Sequence, residues 1–181
     1  FPPRPSSDLR RIMTWNVNGL LDRTKRGAVL RYIKRQSPAV MLLQETHLLG
    51  TRCAFLGRLG YNRVFHAGFT RGPRGVAIMI HKSFPLTLLD SKTDQGGRFV
   101  AMWGLLEGKA YNFISVYAPP QLQKTTLKDV GTLLLGLPQG VTFIGGDFNT
   151  ILNKSMDTTG GRGEDNPRGG NYFQTWLDSL G

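Results

Sequence analysis

Four apolar runs in this sequence end in side chains suited to phosphate chemistry. Leu9–Val17 carries Asn16 and leads to Asn18. Ala39–Leu43 leads to Gln44, Glu45, Thr46 and His47. Tyr111–Tyr117 ends in the Tyr117 phenol. Val141–Ile144 stops at Gly145 and Gly146 and delivers Asp147 and Asn149. Short runs of Val, Ile, Phe and Leu bounded by Gly or polar residues read as buried strands. Ligands of α/β folds gather where such strands emerge. If the four tips share one edge, a cleft would hold two carboxylates, two or three carboxamides and a phenol. Those are hard oxygen donors. They suit Mg²⁺ or Mn²⁺, which keep several waters and take one or two carboxylates. No zinc-type Cys/His cluster accompanies them. A metal for developing charge, a base for water and fixed donors to phosphate are what phosphodiester hydrolysis needs.

The elements that must position these tips follow from the pattern. Lys25–Gln36 reads as a helix, with Val29, Tyr32, Ile33 and Gln36 on one face and Thr24 as its N-cap. Ser37-Pro38 stops it. Ala39–Leu43 is continuously apolar, so it is expected to be buried on both faces. Leu48–Leu59 reads as a short helix and Tyr61–His66 as a strand, with a turn over Thr70–Gly75. Val76–His81, Leu86–Ser91, Phe99–Leu106 and Tyr111–Tyr117 read as a meander of strands. Thr126 and Asp129 resemble a capping box opening a helix with Leu127, Val130, Leu134 and Leu137 on its apolar face, ended by Pro138. Asn153–Gly170 reads as a Gly-rich surface loop without the Walker spacing. Asn171–Leu180 reads as a helix. Helix–strand alternation at both ends of a meander implies two mixed sheets packed face to face, with helices outside.

The chain has 181 residues and a net charge of +11. Its first 35 residues hold nine Lys/Arg and two Asp, supplying +7. That balance points to a polyanionic partner, nucleic acid before membrane. Arg71 and Arg74, in the turn before Val76, are candidates for backbone phosphate contacts. No apolar run approaches the ~18 residues of a membrane span. The single cysteine, Cys53, excludes an internal disulfide and fits a reducing compartment. Residues 1–8 are expected to be a flexible, basic, Pro-rich arm, with one domain over 9–181. Because the chain begins at Phe1, it is expected to be a piece of a longer protein. Trp15, Trp103 and Trp176 are expected in the core, and His66 and His81 in structural roles.

TWNVNGL (14–20), LLQETHL (42–48), VYAP (116–119) and GDFN (146–149) together resemble the endonuclease/exonuclease/phosphatase superfamily, whose fold is DNase I-like. The details are most similar to endonuclease domains of LINE-type (non-LTR) retrotransposons. Apurinic/apyrimidinic repair endonucleases, the second enzyme reading, tend instead to read QETK, YVPN and GDLN. The resemblance implies a four-layer α/β sandwich. It makes Glu45, helped by Asn16, the Mg²⁺ or Mn²⁺ ligand and Asp147 the residue that activates water. It makes Asn149 and Tyr117 phosphate contacts, with Asn18 near the site. It implies duplex DNA as substrate, a nick leaving a 3′-hydroxyl that primes reverse transcription, a reverse-transcriptase domain in the same polyprotein, and a nuclear location.

The sequence departs from the family at its end. The family continues for about another quarter of its length and closes with a Ser-Asp-His motif, which does not occur here. The domain is therefore expected to be incomplete at the C-terminus. A third reading is a catalytically impaired nucleic-acid-binding fragment. His47 follows the Glu45 motif but does not match the closing histidine.

Overall fold

The computed structural model describes residues 11–150 and 167–180. The expected arm, and most of the expected Gly-rich loop, lie outside the described residues. The chain divides into two compact units. The first runs to Tyr117 and includes Leu137–Asp147; the second is Ala118–Gly136 with residues 148–181.

The first unit contains two four-stranded mixed sheets. In chain order its strands are β1 (Ile12–Asn16), β2 (Val40–Gln44), β3 (Tyr61–Ala67), β4 (Val76–His81), β5 (Thr87–Thr93), β6 (Phe99–Leu106), β7 (Lys109–Tyr117) and β8 (Val141–Asp147). One sheet has the order β1-β2-β4-β3 and the other β5-β6-β7-β8. The expected meander is therefore divided. β3 and β4 form a hairpin in the first sheet, while β5, β6 and β7 form the meander of the second. Helix α1 (Arg23–Gln36) links β1 to β2, which pair in parallel. β7 and β8 are also parallel.

Alternation along β2 explains the layering. Val40 and Leu42 enter the core between the sheets, with Ile78, Ile80, Val100, Met102 and Phe113. Met41 and Leu43 point the other way, into a core shared with Val29 and Ile33 of α1 and with Leu56 and Tyr61. The expectation that this strand is buried on both faces is met along its whole length. Helix α1 starts earlier than its pattern implied, because Asp22 rather than Thr24 caps it: Asp22 Oδ1 accepts from the Lys25 amide at 2.7 Å. It stops at Ser37, whose left-handed backbone (φ 46°) precedes Pro38. Gly50–Leu59 is a 3-10 helix.

The second unit contains helices α2 (Gln123–Leu135) and α3 (Pro167–Asp178). Helix α2 begins three residues before the expected capping box, so Thr126 lies inside it, fully buried, and caps nothing. Its buried face is Leu127, Val130 and Leu133 rather than Leu134 and Leu137. Gly136 caps its end, ahead of Pro138. Helix α3 starts at Pro167, within the stretch read as loop. Its Phe173 and Trp176 pack with Phe148, the Phe148 and Phe173 ring centroids lying 4.8 Å apart.

Candidate active site

Register brings the polar strand ends to one place in the first unit. Asn16 is the last residue of β1 and pairs with Gln44, one residue before Glu45. Tyr117 is the last residue of β7 and pairs with Asp147, the last of β8. Both pairs are parallel, so each puts two chain ends at one level. The sheets approach closely here because residue 145 is glycine: a Cβ there would lie 2.7 Å from Leu42 Cδ1 and 3.1 Å from Thr14 Cβ. Gly146 is required more strictly, since its Cβ would fall 2.1 Å from the Val116 carbonyl oxygen.

Asn16 is the hub of the cluster. Its Nδ2 donates to Glu45 Oε1 and to Asp147 Oδ2, both at 2.7 Å. Its Oδ1 accepts from the Asn18 amide at 2.9 Å, which fixes the orientation of the carboxamide. The Tyr117 phenol stands close enough to Glu45 and Asp147 for both carboxylates to act on it. Burial raises the Tyr117 pKa, and the Glu45 and Asp147 charges push it the same way, against a smaller opposing effect of Arg74. The phenol is thereby held as a donor.

His47 Nε2 lies 3.5 Å from Glu45 Oε2. The sequence reading had set this histidine apart from the closing one, and the structure places it against Glu45. Its ring packs on Gly19, where a Cβ would come within 2.8 Å of His47 Nδ1. Asn18, Glu45 and His47 all adopt left-handed backbone, at φ 45°, 50° and 54°. Asn and His take that region more readily than Glu does, and such strain persists where the surroundings enforce it. Here the enforcing contacts are backbone bonds: Thr46 N to Gly75 O, His47 N to Arg74 O and Gly19 N to Glu45 O.

Below the site, a buried polar ladder joins the two sheets. Gln44 Nε2 donates to Thr14 Oγ1 at 3.1 Å and to Ser115 Oγ at 2.9 Å. Ser115 Oγ in turn donates to the Leu43 carbonyl at 3.0 Å. Gln44, the last residue of β2, and Ser115, inside β7, are buried polar residues. Sequence reasoning missed them as positioning groups. The one available signal was a serine interrupting an apolar run and a glutamine closing one.

The remaining expected residues are spread more widely. Arg74 is half-buried, its guanidinium 4.5 Å from the Phe69 ring, and it lies close enough to act on Tyr117. Arg71 is exposed. Asn149 belongs to the second unit; its Nδ2 donates to the Ala118 carbonyl at 3.1 Å. Gln123 Nε2 holds the backbone there by donating to the carbonyls of Phe148 and Asn149. His66 bonds Thr46 Oγ1 through Nε2 at 3.2 Å, and burial lowers its pKa. His81 sits edge-on to Tyr61 with Nδ1 against Ser83 Oγ.

Two carboxylates within reach of one amide nitrogen, with a phenol beside them, form a hard-oxygen donor set. It fits Mg²⁺ or Mn²⁺, which require few protein ligands. Among the described residues no three His, Cys, Asp or Glu side chains cluster in the manner of a closed transition-metal site.

Paired sheets whose parallel strands deliver carboxylates to one edge define an α/β fold of the DNase I-like kind. Residues 13–179 match the Endonuclease/Exonuclease/phosphatase family, and the chain belongs to that family. Among curated proteins it is 27% identical over 146 residues to the Transposon TX1 uncharacterized 149 kDa protein of Xenopus laevis. That match covers 78% of this chain but only 11% of the relative. Among solved structures, an AP endonuclease from Archaeoglobus fulgidus superposes with a TM-score of 0.67 at 19% identity, covering 94% of this chain and 71% of that one. D. rerio TDP2 complexed with single-strand DNA product gives 0.61 at 22% identity, covering 77% and 60%. At these identities the likenesses establish the shared fold.

Proposed function

We propose that this chain carries the catalytic strand ends of a Mg²⁺-dependent endonuclease that nicks duplex DNA for a LINE-type retrotransposon. The observation that carries the reading is the pair Glu45 and Asp147 held by one carboxamide, Asn16, with the Tyr117 phenol beside them. Glu45, with Asn16, would hold the metal, which when bound supplies positive charge for the phosphate. Asp147 orients water and takes its proton as the oxygen adds to phosphorus. The P–O3′ bond breaks, leaving a 3′-hydroxyl that takes a proton from solvent and a 5′-phosphate. Tyr117 donates to a phosphate oxygen, Asn18 borders the site, and Arg71 and Arg74 take flanking phosphates. The net charge of +11 and the similarity to a transposon protein support DNA as substrate. Nuclear placement, a reverse-transcriptase domain in the same polyprotein, and use of the 3′-hydroxyl as primer belong to the same proposal.

The second enzyme reading is a repair-type endonuclease specific for abasic sites, and the QETH, VYAP and GDFN stretches favour the first. One assay separates them. Intact and abasic duplexes of the same sequence are incubated with the protein in Mg²⁺, and the nicked ends are offered to a polymerase. Cleavage of the intact duplex at extendable ends supports the proposal. Cleavage confined to the abasic duplex supports the alternative.

A further inference from the structure

Helix α1 breaks three local rules at once. Its fourteen residues, RTKRGAVLRYIKRQ, include six Lys/Arg and no Asp or Glu. Three of those cations, Arg23, Lys25 and Arg26, crowd the first turn, where the helix dipole is already positive. Arg31 stands one turn from both Lys34 and Arg35, spacings at which like charges repel. Gly27, a weak helix former, sits mid-helix without a steric reason: a Cβ there would meet only Arg31 Nη1, at 3.4 Å. Local rules broken together in an otherwise consistent fold mark a functional surface.

Two of the six cations have partners outside the helix. Lys25 Nζ donates to the Asn18 carbonyl at 2.5 Å. Arg26 lies 4.8 Å over the Phe55 ring and donates to the Leu20 carbonyl. The other four, Arg23, Arg31, Lys34 and Arg35, are exposed, Arg35 with its guanidinium 6.0 Å from the Tyr32 ring of the same helix. Among the described residues none of these four has a carboxylate partner. With 3.6 residues per turn, these four and Gly27 fall within roughly a third of the helix circumference, opposite the buried Val29 and Ile33. The stripe from Arg23 to Arg35 is about 18 Å long.

We propose that this outer face of α1 binds a nucleic-acid phosphodiester backbone running away from the candidate site. The stripe is long enough to meet a few successive phosphates of one B-form strand. The missing side chain at Gly27 lets that backbone come close to the helix between flanking cations. Direction comes from the ends of the helix. The first turn joins the site through Lys25 to Asn18 and Asn18 to Asn16. The far end adjoins the start of β1, where Arg11 Nη2 donates to the Gln36 carbonyl. An anionic membrane fits less well, because Tyr32 is the one large apolar side chain exposed on this helix, too little to insert. The inference rests on the nucleic-acid half of the reading above and is independent of its chemistry.

The backbone could belong to the duplex being cut or to a second nucleic acid. Both cases are tested in an Asp147→Asn background, by anisotropy with labelled duplexes of about 12 and 30 base pairs between about 50 and 200 mM salt. R23Q/R31Q/K34Q/R35Q keeps good helix formers, and its helix content is checked by circular dichroism. Its salt slope should fall by about 3 to 4 relative to the same protein with the stripe intact. A fall with the long duplex alone assigns the backbone to the cut duplex, and a fall with both lengths assigns it to a second nucleic acid. Gly27→Ala should weaken binding several-fold while leaving or raising the melting temperature. An unchanged slope with both duplexes overturns the proposal, as does an equal loss of affinity for polyglutamate. With Asp147 restored, the four-site variant should keep its kcat in plasmid nicking, with KM raised where the stripe holds the cut duplex and unchanged where it holds a second nucleic acid. If the stripe-intact protein nicks but the slope does not move, the stripe fails and the nuclease reading stands. If the slope moves and no protein nicks, the stripe stands and the nuclease reading fails.

Discussion

Asn16, at the end of β1, donates to Asp147, at the end of β8, across 2.7 Å of space and 131 positions of sequence. The same nitrogen donates to Glu45 at 2.7 Å. One carboxamide thus fixes two carboxylates that the chain brings from different sheets. Replacing Asn16 by Ala removes two hydrogen bonds to charged acceptors in a half-buried setting. Without divalent metal, the variant should lose about 1.5–3 kcal/mol of stability, the range for a charge-assisted bond. Urea denaturation in EDTA measures it, and a midpoint equal to the parent's would show that Asn16 does not hold the pair.

Glu45 accepts from Asn16 through one oxygen while its second oxygen faces His47. Removing its carboxylate takes away half of the acidic donor set. Glu45→Ala should weaken Mn²⁺ binding at least tenfold in a calorimetric titration. Equal affinity in parent and variant would assign the metal elsewhere.

The two glycines before Asp147 should differ in their tolerance of alanine. At Gly145 the added methyl meets the end of the Leu42 side chain, which can move. At Gly146 it meets the Val116 carbonyl oxygen of the paired strand, which cannot move without breaking register. Gly145→Ala should cost about 1–3 kcal/mol and Gly146→Ala more than that. Thermal unfolding ranks them, and the reverse order would contradict the described approach of the strands.

His66 gives the fold a pH dependence whose sign is fixed. Burial lowers its pKa, so between its folded value and its ordinary 6.5 the unfolded chain binds more protons than the folded one. Stability from this group is therefore present above about 6.5 and lost as pH falls below it. His66→Gln should flatten the melting temperature between about pH 7 and 5 relative to the parent. Parallel curves would mean that His66 is not held neutral.

Much of this was legible in the sequence, for identifiable reasons. Val76–His81 and Phe99–Leu106 matched their expected bounds because each apolar run is cut off by turn residues on both sides. Asn16, Glu45, Tyr117 and Asp147 could be expected together because each ends such a run. The division of the meander between two sheets was not legible, since pairing depends on sheet twist and packing rather than on spacing. The capping box at Thr126 misled because helix α2 starts with Gln123, whose amide works on carbonyls 25 and 26 positions away. His47 could not be placed because nothing local says that left-handed backbone at Glu45 and His47 folds its ring back onto the Glu45 carboxylate.

The most direct test of the account is relaxation of supercoiled plasmid in Mg²⁺. The parent and its Asp147→Asn variant are each expressed as the full-length protein that their gene encodes. The amide keeps the size of the carboxylate and removes its basicity. The account predicts that the parent nicks, that nicking by Asp147→Asn falls by ~10² or more, and that duplex binding persists. Near-parental nicking by Asp147→Asn would contradict it and reduce Asp147 to a residue that merely ends a strand.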